Sequence, residues 1–121
     1  MLYLIMVWND FSFLGALFLL LVSFCYLVFP PKGINPVYGY RTPQSTKNEE
    51  NWQWANRWGA RSLLGISLVL CGVTYLNQEM RFMASDHLFL GTFLGGVGIA
   101  MAIIELRLWQ MGKKRRETEK E

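Results

Sequence analysis

Phe11 to Phe29 reads FSFLGALFLLLVSFCYLVF, nineteen residues without a charge. That is about the number a helix needs to cross a hydrocarbon core roughly 30 Å thick. Pro30-Pro31 follows at once, and the fixed φ and missing donors of proline stop a helix there. Two more apolar runs lie downstream. Ser62 to Leu76, SLLGISLVLCGVTYL, is short for a span, and it lengthens if its helix starts near Trp54 or Trp58, because tryptophan favours the membrane interface. Leu88 to Trp109, LFLGTFLGGVGIAMAIIELRLW, carries Glu105 and Arg107 near its end, from where both charges can snorkel to water. The expected fold is all-α, an integral membrane protein with three transmembrane helices at about 11–29, 60–76 and 88–109 in one domain spanning residues 1–121.

Composition supports this. The chain has 121 residues, 52% of them apolar and 15% aromatic, and a water-soluble domain of this size could not hide three separate apolar runs. Met1 to Trp8 carries no Lys or Arg and no small-residue cleavage site follows, so these residues read as mature protein rather than as a signal peptide. Asn9-Asp10 separates them from the first run, and residues 1–10 fit either an early helix start or a segment lying in the interface. Cys25 and Cys71 belong to different runs at different expected depths, which argues against a disulfide and for packing roles.

Orientation comes from the basic residues. Lys32, Arg41, Lys47, Arg57 and Arg61 belong to the first loop and its exit, and Arg107, Lys113, Lys114, Arg115, Arg116 and Lys120 to the C-terminal end. The second loop, residues 77–87, holds only Arg81, so three spans place eleven of the twelve basic residues on one side. The positive-inside rule makes that side cytoplasmic and leaves the N-terminus outside. The net charge of +3 thus serves topology. The basic tail, residues 110–121, could meet anionic lipid, but acidic residues alternate along its end and exclude nucleic acid as a partner.

Gly91, Gly95, Gly98 and Ala102 recur at three- and four-residue spacing along the third run. They form a smooth face for helix packing. Packing within one subunit is the simpler use; a homo-oligomer contact remains open.

The first loop, residues 30–57, is far longer than a connection requires and too aromatic for a flexible linker. Its prolines and Gly39 make Asn35-Pro-Val-Tyr-Gly-Tyr-Arg-Thr-Pro43 an ordered, non-helical turn with a left-handed residue at Gly39. Thr46-Lys-Asn-Glu49 is a capping-box pattern, expected to start a short interfacial helix with Glu49 and Glu50 in its first turn. On that helix Trp52, Ala55, Asn56 and Gly59 share one face, and Glu50, Trp54, Arg57 and Arg61 another. One face would sit in lipid and the other would meet the turn that carries Arg41. The plainest reading is structural: Arg41 pairs with Glu49 or Glu50 to staple the loop, and the tryptophans form an aromatic belt.

The string Asn35-x-x-x-Gly39-x-Arg41-Thr42-Pro43, followed by Glu49-Glu50-x-Trp52-x-x-x-Asn56-x-x-Gly59, resembles the signature of the SdpI family of bacterial membrane proteins, including its YfhL-like members. Two positions depart from that pattern. Asn56 stands where some members carry His, which argues against a titrating imidazole there, and Ser45 stands where Thr is usual. The resemblance implies an immunity protein of the bacterial cytoplasmic membrane that protects against a secreted, membrane-active peptide toxin. It also implies a receptor role, in which a cytoplasmic transcriptional regulator is held at the membrane. The best-known member has about twice the expected number of spans, so the small form suffices, assembles in pairs, or keeps part of the function.

Asn35, Gly39, Arg41, Thr42, Glu49, Glu50, Trp52 and Asn56 are accordingly the candidate binding residues of the motif loop. A different class of function is an enzyme or carrier for a lipid or peptide at the inner leaflet, with Arg41 gripping a phosphate or carboxylate and Glu50 as acid or base. No nucleophile and base stand at recognisable spacing, there is no phosphate loop, and His87 has no partner for a metal. Catalytic activity, metal and cofactor are therefore not expected. An accessory membrane protein without a ligand is the third class.

Overall fold

The computed structural model describes residues 11–80 and 85–121. The expectations for residues 1–10 and for Arg81 lie outside this range. Three helices make up the described chain: α1, Phe11–Val28; α2, Glu49–Met80; and α3, Ser85–Thr118. The described residues contain no strand.

α1 ends where the proline pair requires, with a last turn closed by the Phe29 N–H donating to the Cys25 carbonyl at 2.8 Å. Its 18 residues rise about 27 Å. α2 and α3, of 32 and 34 residues, rise about 48 and 51 Å, well beyond the thickness of a bilayer core. Both are long and apolar enough to cross a membrane. Protein buries only 22% of the apolar window of α2 and 6% of that of α3. Large side chains such as Leu68, Val69, Leu94 and Ile99 consequently face outward, a surface that calls for lipid rather than water. The chain is a membrane protein.

α2 lies between α1 and α3 and packs along both, whereas α1 and α3 barely touch. Their approach is at Gly15, where a Cβ would lie 3.4 Å from the Phe89 ring. Small and weakly polar residues make the close contacts: Ala16, Ser23, Ser67 and Thr74 are all buried. The hydroxyls of Ser67 and Thr74 donate back to the Leu63 and Leu70 carbonyls at 2.7 and 2.6 Å, which satisfies them without water.

Two expectations are corrected. α2 is one uninterrupted helix, so the segment from residue 49 is no separate interfacial helix; nothing in it breaks the backbone, and Trp52, Ala55 and Asn56 are buried by protein. α3 carries the basic residues 113–116 and runs on as far as Thr118. The glycine that lets α2 and α3 approach is Gly96, whose Cβ would lie 3.0 Å from Ile66 Cγ1. Among the described residues, Gly91, Gly95 and Gly98 would meet nothing within 4 Å and, like Ala102, are exposed, so that face packs against none of them.

Candidate functional site

The polar ends of α2 and α3 and the loop between α1 and α2 gather at one end of the bundle. Glu50 near the start of α2 pairs with Arg115 near the end of α3. The Tyr40 hydroxyl of the loop donates to Glu105 Oε1 of α3 at 2.9 Å. Burial first, and then this carboxylate acceptor, push the Tyr40 pKa well above the usual phenol range, so at neutral pH the hydroxyl stays a donor. Tyr40, Trp54 and Met111 cover a small core of Ala55, Ile104 and Leu108 beneath these polar links.

Within the loop, Asn35 organises the first turn. Its Oδ1 accepts from the Val37 and Tyr38 N–H groups at 3.1 and 2.8 Å, and its Nδ2 donates to the Gly33 carbonyl at 2.9 Å. This is an Asx-type turn, in which the side chain replaces a backbone acceptor. The Tyr38 hydroxyl donates to the Phe29 carbonyl at 2.8 Å, tying the turn to the end of α1.

Gly39 has φ of +116°, and a Cβ on it would lie 2.5 Å from Asn56 Oδ1 and 2.9 Å from Pro31 Cγ. Both the backbone conformation and the space demand glycine. That close approach delivers the next backbone N–H to Asn56: Oδ1 accepts from the Tyr40 N–H at 2.7 Å and from the Tyr26 hydroxyl at 2.6 Å. Asn56 Nδ2 donates to the Trp52 carbonyl at 2.8 Å. A single buried amide therefore joins α1, the loop and α2.

The second turn is closed by Thr42 and Ser45. The buried Ser45 hydroxyl accepts from the Thr42 N–H at 2.8 Å and donates to the Tyr40 carbonyl at 3.0 Å, while the Ser45 N–H donates to Thr42 Oγ1 at 3.2 Å. Thr46 donates its hydroxyl to the Thr42 carbonyl at 2.9 Å and does not cap the helix as the capping-box pattern suggested. The cap is Asn48, whose Oδ1 accepts from the Asn51 N–H at 2.9 Å, the N3 position. Thr46 is held by its own turn, which leaves the nearer Asn48 to meet the first free N–H groups.

Arg41 pairs with neither Glu49 nor Glu50. It is exposed and has no ion-pair or hydrogen-bond partner among the described residues. Glu50 is taken by Arg115. Trp52 is not part of an aromatic belt. It is fully buried, with Nε1 lacking a hydrogen-bond partner. Trp58 and Trp109 face outward instead, 43% and 51% exposed, with the Arg61 guanidinium 5.1 Å above the first ring and the Lys113 ammonium 6.0 Å above the second.

Asn35, Gly39, Thr42 and Asn56 thus order the loop, and residues 32–106 match the SdpI/YfhL protein family. The chain belongs to that family. A relative in Bacillus subtilis (strain 168), the uncharacterized protein YfhL, is 36% identical over 69 residues, covering 57% of this chain and 63% of the relative. The chain therefore matches somewhat less than two thirds of that relative's length. No solved structure matches it. Tyr26, Tyr40, Ser45, Asn51 and Glu105 share the site and were not singled out as binding residues. Ser45 and Tyr40 lie within or beside the signature, whereas Glu105, read as a snorkelling charge, becomes a partner only through Tyr40. Cys25 is a free, exposed thiol rather than a packed one.

Proposed function

We propose that this chain is a bacterial cytoplasmic-membrane immunity or sensing protein. It protects against a membrane-active peptide toxin and signals to a cytoplasmic regulator through the motif loop. All three helices cross the bilayer, with the N-terminus outside and the loop and C-terminus in the cytoplasm. Family membership supports the functional class, and the clustering of loop and α3 basic residues at one end supports the orientation.

The observation that carries the reading is the way the loop is fastened. Asn56 connects it to α1 and α2, and Tyr40 connects it to α3 through Glu105. A hydrophobic peptide that shifts any helix within the bilayer would strain these connections. The loop would register that displacement on the opposite side of the membrane. Exposed Arg41 is then the residue available to a cytoplasmic partner.

Expression in a bacterium sensitive to such toxins tests this. Survival should rise, and Arg41→Ala should lower it while membrane abundance stays constant, because Arg41 makes no contact on which folding depends. Unchanged killing across a panel of membrane-active peptide toxins would sink the immunity reading.

A further inference from the structure

Because α1 and α3 touch at Gly15 and Phe89 but separate towards the loop, a cleft of about 640 Å³ opens between them. α2 forms its floor with Leu63 and Ile66, and Val22 and Met101 stand on its two walls. It occupies the loop-side half of the apolar segments, and the turn from Tyr38 to Thr42 closes its end. The bond from Tyr40 to Glu105 spans that end at 2.9 Å. Arg41 stands at this closed end without an anionic partner among the described residues.

We propose that this cleft is a binding site for an anionic phospholipid, with one acyl chain between α1 and α3 and the phosphate on the Arg41 guanidinium. The walls are apolar, so an occupant must bring few polar groups of its own. An inserted peptide strand would carry backbone N–H and C=O groups that these walls leave unpaired, at a cost of several kcal/mol each in hydrocarbon. An acyl chain carries none. At the polar end, an uncompensated guanidinium matches a phosphate in charge and in its fork of donors. The site requires α1, like α2 and α3, to lie in the bilayer; it does not depend on the immunity role.

The test uses the full chain reconstituted in vesicles of equimolar phosphatidylcholine and phosphatidylglycerol, extracted in a non-ionic detergent. Bound lipid is then quantified by mass spectrometry. The wild type should retain phosphatidylglycerol over phosphatidylcholine by about tenfold, the size of one charge-assisted contact. Arg41→Gln should bring the ratio close to one. Met101→Trp, which fills the cleft and leaves Arg41 in place, should lower both lipids. Lys32→Gln, which removes an exposed loop cation outside the cleft, should keep the preference. Helix content by circular dichroism identifies any variant that fails to fold. Cys25 lines the cleft, so its maleimide labelling should be slower in phosphatidylglycerol than in phosphatidylcholine vesicles.

Equal retention of the two lipids by the wild type would overturn the proposal. So would a preference that survives Arg41→Gln and disappears in Lys32→Gln, because that pattern belongs to a diffuse basic surface. Protection of Cys25 by a synthetic hydrophobic single-span peptide, with no lipid preference, would assign the cleft to a peptide instead. Toxin survival assays do not enter these outcomes, so failure here is distinguishable from failure of the immunity role.

Discussion

The Tyr26 hydroxyl donates to Asn56 Oδ1 at 2.6 Å, and that oxygen also receives the Tyr40 N–H at 2.7 Å. Two helices and the loop therefore meet at one acceptor. Asn56 is only 2% exposed.

Asn56→Ala should consequently destabilise the protein by about 1–3 kcal/mol, because the Tyr26 hydroxyl loses its acceptor and the Tyr40 N–H keeps only the longer bond to the Tyr26 oxygen at 3.2 Å. Thermal unfolding in detergent measures the loss, and limited proteolysis should show earlier cutting in residues 33–45. Asn56→His retains an acceptor only while the imidazole is neutral. Protonation removes that acceptor, so the variant should lose stability as the pH is lowered. A pH-independent melting temperature in Asn56→His would contradict this arrangement.

Glycine positions separate constrained backbone from free surface. Gly39→Ala should cost about 2–3 kcal/mol, since it combines a positive φ with a Cβ 2.5 Å from Asn56 Oδ1. Gly91→Ala should be neutral or stabilise the helix by up to about 1 kcal/mol, the propensity difference. Denaturation of both variants in the same detergent gives the comparison. If Gly91→Ala is strongly destabilising, the exposed glycine face is a contact in the assembled protein.

The ion pair of Glu50 with Arg115 is on the surface, with the Glu50 side chain 68% exposed. Glu50→Gln should therefore alter stability by less than about 1 kcal/mol, and salt should diminish even that effect. Trp52→Ala, by contrast, removes a fully buried side chain and should cost about 3–5 kcal/mol. Equal losses in the two variants would mean that the ion pair, and not the packed core, holds the loop.

Topology is tested with a single cysteine at Lys47, in a chain whose Cys25 and Cys71 are replaced by serine. In intact cells a membrane-impermeant maleimide should leave it unlabelled, and it should react after permeabilisation. Labelling from outside would reverse the orientation and remove the cytoplasmic role of the loop.

Much of the framework was legible in short stretches of sequence. Nineteen uncharged residues before Pro30-Pro31 set where α1 lies, and proline stops a helix whatever surrounds it. Gly39 was readable as a left-handed position among prolines, and the signature from Asn35 to Gly59 identified the family. Such signals reside in hydropathy and local backbone preference, which neighbours in the chain control.

Packing decided the rest. Tyr40 and Glu105 are separated by 65 positions, and only the rotation of α3 against α2 brings the carboxylate to the hydroxyl. Four small residues at regular spacing looked suited to packing, yet Gly96, outside that pattern, receives Ile66. A period describes which residues share a face, but the direction of that face is set by competition among all three helices. Arg41 likewise lacks the acidic partner that its neighbours in the loop suggested, and α3 brings Arg115 to Glu50. Its freedom, and the cleft it borders, exist only once the helices are assembled.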